Sequence, residues 1–232
     1  MKLFRSLLPL YLLVMGLFFG AAALGSHAVT AVAEHPDFER DVVFIIDAGH
    51  GGEDGGTVSC TGVHESVLNL EIAKRLHSLL RLLGRETVMT RTTSQALSTQ
   101  GSTIAARKLS DLKNRVALVR QIPAGILVSI HQNQFSDPQY AGPQVFFGSQ
   151  TGSRELACFL QQALNDGLGI KKGRAARAVG KVYLMQRIPR TAVLLECGFL
   201  SNPREEALLR SDAYQLRLCA VAATALTRYA DA

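Results

Sequence analysis

The chain predicts a single α/β domain built on a twisted, mostly parallel or mixed sheet of about six strands flanked by helices. Three observations predict it. Several continuous apolar runs, Val42–Ile46 and Ile126–Ile130 the clearest, read as strands buried on both faces, the habit of parallel sheets. Segments with apolar residues at helical spacing lie between those runs. A length of 232 residues suits one domain rather than two, and 47% hydrophobic against 19% charged residues supplies a sizeable core.

In chain order, Lys2 and Arg5 precede an uncharged stretch from Ser6 to Gly25. Roughly 20 apolar residues span a bilayer, whereas a signal-peptide core takes about 7–15. Residues 1–28 are therefore expected to be a signal peptide or membrane anchor, with Ser26-His27-Ala28 offering a small-x-small cleavage site. Basic residues stay inside, so everything beyond the leader should face outward, touching the membrane only through that segment if it is uncleaved. Residues 29–41 read as a linker and 42–232 as the folded domain.

Within the domain, Val42–Ile46 is the first strand. Leu68, Ile72, Leu76, Leu79, Leu80 and Leu83 give a helix over 67–83, closed by Gly84 as a C-terminal cap. Thr87–Thr90 reads as a strand, Ile104–Arg120 as a helix, Ile126–Ile130 as a buried strand and Gln144–Phe147 as a shorter one. A helix over 154–164 leads to a Gly- and Lys/Arg-rich stretch, then to strands at Val182–Met185 and Ala192–Leu195. A helix over 214–229 ends the chain.

The charge balance, 25 basic against 19 acidic residues, suits polyanionic surroundings such as cell wall, membrane surface or nucleic acid. Few aromatics, no Trp and no recognised nucleic-acid motif argue against nucleic acid. No GxxxxGK[ST] or GxGxxG motif supports a phosphate-cradling loop. Of the four cysteines, Cys158, Cys197 and Cys219 sit in or beside apolar stretches and read as small buried hydrophobes; Cys60 lies in a polar loop.

In α/β sheets the functional crevice forms where strands end at their carboxyl edge. Three buried strands run there into groups that bind metal or move protons: Asp47-Ala48-Gly49-His50-Gly51-Gly52, Ser129-Ile130-His131-Gln132-Asn133, and Leu195-Glu196-Cys197-Gly198. Glu65 precedes the first long helix. Two imidazoles and one carboxylate, His50, His131 and Glu65, make the three-ligand pattern of a catalytic zinc site. Glu196 is then a second carboxylate available as general base. Each piece has a plainer reading. A histidine after a strand often serves as a hydrogen-bonded loop residue, and Glu65 would favour a helix dipole by itself. Glu196, ending an apolar run, needs a partner if buried. His64 and His77 read as loop and helix-surface residues, and His27 and His35 flank the leader.

These blocks resemble, in order, those of the zinc-dependent N-acetylmuramoyl-L-alanine amidases. The resemblance rests on the His50 block, then Glu65 with Asn69–Ala73, Thr90-Arg91, the His131 block, and Glu196-Cys197-Gly198-Phe199-Leu200-Ser201-Asn202. It covers about residues 41–230, and the family's usual Pro after the first Asp is Ala48 here. Ser110-Asp111-Leu112-Lys113-Asn114-Arg115 and Gln144–Phe147 resemble the germination-specific, spore-cortex branch. The resemblance implies Zn2+ held by His50, Glu65 and His131, with Glu196 as catalytic base. It further implies peptidoglycan as substrate, cut between the lactyl group of muramic acid and L-alanine outside the cytoplasm. In the spore-cortex branch the stripped muramic acid is then converted to its lactam by another enzyme.

Two other readings stand beside this one: a zinc peptidase acting within the stem peptide, and a non-catalytic wall-binding protein. Seven basic residues without an acid (Lys171, Lys172, Arg174, Arg177, Lys181, Arg187, Arg190) read either as a solvated loop or as a rim for anionic substrate groups. Some relatives carry a long insert folded over the zinc. The short, glycine-bearing stretch 165–180 instead predicts an open site, with control left to export, timing of expression or a regulatory protein partner.

Overall fold

The computed structural model of the protein describes residues 42–232. The expected leader and linker lie outside the described residues. Among the described residues no helix is long and apolar enough to cross a membrane.

The first unit runs from β1 (Val43–Ala48) through α1 (Glu65–Leu82) to β2 (Glu86–Met89), which pairs parallel to β1. Gly84 (φ +78°) ends α1: its N–H reaches the Arg81 carbonyl, and the Arg85 N–H reaches that of Leu80. This is the Schellman arrangement, which a residue with a Cβ adopts only under strain. Helix α2 (Ile104–Arg120) starts on the Thr103 cap, whose hydroxyl accepts from the Ala106 N–H, and returns the chain to β3 (Gly125–Asn133) on the other side of β1.

Then follow β4 (Gln144–Phe147), α3 (Ser153–Leu168), β5 (Arg177–Ala178), α4 (Tyr183–Arg187), β6 (Ala192–Phe199), α5 (Pro203–Leu209) and α6 (Asp212–Ala230). The six strands are ordered β2-β1-β3-β6-β4-β5, all parallel except that β4 meets β6 antiparallel. The expected mixed sheet is present.

Alternation along the central strands divides the core in two. Phe44, Ile46, Val128, Ile130, Val193 and Leu195 face α1, α3 and α6; Ile45, Leu127 and Leu194 face α2 and α4. Each such Leu or Ile contributes about 1.5–3 kcal/mol by leaving water, so the central strands are anchored in the core on both faces.

Two expectations need correction, and one helix is added. Val182–Met185 is not a strand but the start of α4. Leu184 and Met185 are buried, and so is Ile188 three to four positions on, while Gln186 and Arg187 are exposed, and Pro189 forces Ile188 into an extended conformation that stops the turn. Helix α5 was not foreseen, although Asn202 caps it through the Arg204 and Glu205 N–H groups and Pro203 occupies its first turn. Cys158 is exposed on α3 rather than buried; Cys197 and Cys219 are buried as expected.

Candidate metal centre

The sheet brings the carboxyl ends of β1, β3 and β6 together, and with them the expected residues. His50 lies just past β1, His131 near the end of β3, Glu196 within β6, and Glu65 opens α1. One donor atom each from His50, Glu65 and His131 fall within 4.8 Å of one another. His50 Nε2 stands 3.3 Å from Glu65 Oε2, and His131 Nδ1 stands 2.9 Å from Glu65 Oε1. The two imidazoles meet edge-on, with centroids 5.0 Å apart.

Local backbone explains how the groups come so close. His50 adopts φ +60°, rare for a residue with a side chain, and turns its ring back over the sheet edge. A Cβ on Gly49 would sit 2.3 Å from the His131 ring, and one on Gly56 would sit 2.6 Å from Glu65 Oε2. Glycine is required at both positions because the metal-ligand candidates occupy that space.

Two buried arginines clamp the strained turn. Arg115 donates to the Ala48 and His50 carbonyls; Arg91 donates to those of Ala48, Gly49 and Ser66. Arg115 is balanced by Asp47 at 2.5 Å and Asp111 at 2.7 Å. Burial would lower its pKa, but the two carboxylates raise it above the usual arginine value, so it stays charged. For Arg91, burial and the like charge of Arg115 bring the pKa down to about 10.

Other side chains orient the donors. Asp54 accepts from His50 Nδ1 at 2.8 Å, which turns Nε2 toward Glu65. Glu65 Oε2 accepts the Thr57 N–H, and Oε1 accepts from the Gln132 N–H and the Asn69 amide. Gln132 in turn bonds Asn69.

The electrostatics mark a site built for positive charge. Burial would raise the Glu65 carboxyl, but contacts with His131 and His50 outweigh it and hold it well below the usual carboxylate range. Burial would lower His50, but Asp54 and Glu65 bring it up to about 9. Glu196 shows the opposite behaviour: burial, helped by the charge of Glu65, pushes it up to about 7 against the pull of His131 and His50. Among the described residues its Oε2 is buried without a hydrogen-bond partner.

The donor set fits a zinc-like ion. Donors about 2.0–2.1 Å from a tetrahedral ion stand roughly 3.4 Å from one another; the two histidine–Glu65 distances, 3.3 and 2.9 Å, are close to that, and the whole set falls within 4.8 Å. Two imidazoles and one carboxylate are also the donors that catalytic zinc sites use.

The positioning groups Asp54, Arg91, Arg115, Asn69 and Gln132 had no role assigned from sequence. An acid four residues after His50, and an Asp inside the apolar β1, were the available signals. His64 is an exposed residue at the start of α1, and His77 contacts Thr87 away from the triad.

The basic run is divided by the fold. Arg190 donates to the Ile122 carbonyl, at the edge of the sheet opposite the triad, and the Arg187 carbonyl accepts from Arg120 at the end of α2. Lys171, Lys172 and Arg174 lie at the triad's edge, between α3 and β5. The stretch between those elements contains turns and no helix.

Residues 44–228 match the N-acetylmuramoyl-L-alanine amidase family. The chain is 33% identical, over 81% of its length and 79% of the relative's, to the germination-specific N-acetylmuramoyl-L-alanine amidase of Bacillus subtilis. It is similar to the solved CwlD amidase from Clostridioides difficile in complex with the GerS lipoprotein. That match has 30% identity and TM-score 0.77, covering 81% of this chain and 97% of that one. The catalytic domain of CwlV, an amidase of the same type from Bacillus (Paenibacillus) polymyxa, matches at 30% identity and TM-score 0.70, covering 82% and 98%.

Proposed function

The chain belongs to the N-acetylmuramoyl-L-alanine amidase family, and from that premise we propose that it cleaves the lactyl–L-alanine amide of peptidoglycan in spore cortex, outside the cytoplasm, with Zn2+ as its ion. The observation that carries the assignment of roles is Glu196, a half-buried residue whose Oε2 is buried and unpartnered beside three clustered donors.

His50, Glu65 and His131 would hold the ion. When bound, it supplies Lewis-acid polarisation of water and of the scissile carbonyl. The chain's own groups do the rest. Asp54 and the amides around Glu65 keep the donors oriented, and the arginine clamp keeps the His50 turn from relaxing. Glu196 takes a proton from the attacking water and returns it to the departing L-alanine amine. A regulatory protein partner belongs to this reading too, since the Clostridioides difficile relative was solved in complex with a lipoprotein.

The test is metal-dependent digestion of purified cortex peptidoglycan, with products identified by mass. Release of intact stem peptides beginning with L-alanine is the expected result. Fragments cut within the stem would point to a peptidase, and no metal-dependent release would overturn the enzymatic reading.

A further inference from the structure

Beside the triad, on the same sheet edge, lies a second concave surface with a distinct chemistry. It is an open pocket of about 740 Å³ whose walls include Tyr140, Lys171, Lys172, Arg174 and Arg204, four cations against one rim carboxylate, Asp137, and the buried Glu205. Its segments all gather where β6, β4 and β5 meet that edge: the loop between β3 and β4, the stretch before β5, and the start of α5 after β6.

The pocket is pinned to the triad's strands. Glu205 at its floor accepts the N–H groups of Gly142 and Phe199, and Phe199 pairs with Asn133, two residues beyond His131. Arg174 is held rather than loose. It donates to the Ala141 carbonyl and to Gln144, and its guanidinium lies 4.9 Å from the Phe199 ring centre. The other three cations are exposed at the rim, and among the described residues none of the four makes a salt bridge to a carboxylate.

Spacing suggests the occupant. Neighbouring strands lie about 4.8 Å apart, so the pocket at β4 stands roughly 10 Å along the edge from the end of β3. An extended peptide advances about 3.3–3.6 Å per residue, which places its second or third residue at the pocket when its first amide is at the triad. We propose that this pocket is a subsite for a free carboxylate on the second or third residue of the stem peptide, bound by Lys171, Lys172 and Arg204 around the fixed Arg174. The assignment rests on the amidase reading, which sets the scissile amide at the triad and the peptide on the leaving side. The run of basic residues along the chain does not reveal this group, because Arg204 comes from α5, beyond the sheet strand that separates them.

The experiment compares a muramoyl tripeptide with free side-chain and terminal carboxylates to the same compound fully amidated, using the zinc-loaded full chain. Each exposed ion pair is worth little singly, so three together should lower KM for the acid form by about 10-fold relative to the amide. That preference should shrink at high salt and vanish in the triple variant Lys171→Ala, Lys172→Ala, Arg204→Ala. The released acid and amide peptides, measured by calorimetry, give a second readout that needs no turnover, and the acid should bind more tightly. Equal KM and equal binding for the two forms overturn the subsite even if both are cleaved. Displacement of both peptides alike by inorganic polyphosphate, without an acid preference, identifies a general polyanion surface and overturns it as well. Failure to cleave either compound while the acid preference in binding persists counts against the amidase reading and leaves the pocket's chemistry standing.

Discussion

His131 on β3 and Glu196 on β6 are register partners across adjacent parallel strands, so their side chains leave the same face of the sheet roughly 5 Å apart. The carboxyl proposed as general base is thereby set beside a metal-ligand candidate by strand pairing. The bulge that follows, between His131 and Asn133, lets the chain turn away only after that pairing is made.

Replacing Glu196 by Gln should leave zinc content unchanged and the fold intact, with a melting temperature equal to or above the parent's. The buried carboxyl is a cost to folding that the amide reduces. Turnover should fall by about 10²–10⁴-fold, because the amide cannot accept the proton. Near-parental turnover on peptidoglycan would remove Glu196 from the mechanism.

His50→Ala and His131→Ala each delete one of three donors and should lower zinc content itself, measured by elemental analysis of the purified protein. Chelation should abolish hydrolysis, and added Zn2+ should restore it in the parent. Full zinc in both variants would place the ion elsewhere.

Asp54→Asn tests orientation rather than ligation. Asn keeps the size of the side chain but weakens the acceptor that turns His50 Nε2 inward. Zinc affinity in a competition with a chelating dye should drop by about 10–100-fold. An unchanged affinity would mean that the clamped backbone alone orients His50.

Asp47 gives a pH signature of the clamp. Burial would raise its pKa, but Arg115 and the Ser129 and Thr90 hydroxyls hold it at about 2, below the ordinary 3.8. Its contribution, on the order of 2 kcal/mol, is present above about pH 4 and fades as pH falls toward 2. The stability gap between the parent and Asp47→Asn in urea titrations should therefore narrow over that interval. A gap that stays constant would show that Asp47 is not the titrating group.

The central strands and the four candidate site residues were legible because one physical demand shaped them. A strand buried on both faces must be apolar throughout, so the polar residues that end it stand out. The helix at α2 was legible to the residue, Ile104–Arg120, from periodicity. Val182–Met185 was not, because a four-residue apolar run satisfies strand and helix alike until its packing partners are known. A single turn ending before Ile188 lets Leu184, Met185 and Ile188 all join the core on the α2 side of the sheet.

What the sequence determined by itself was the set of parts: buried strands, the histidines and carboxylates at their ends, and the glycines that let them approach. Tertiary structure alone decided which parts meet. Strand order set β6 beside β3 and so Glu196 beside His131, and the same order carried Arg190 to the far edge while bringing Arg204 to Lys171, Lys172 and Arg174. Composition and spacing act along the chain, whereas a site forms between residues far apart in it. Their meeting is fixed by the pairing of whole strands, which no local preference encodes.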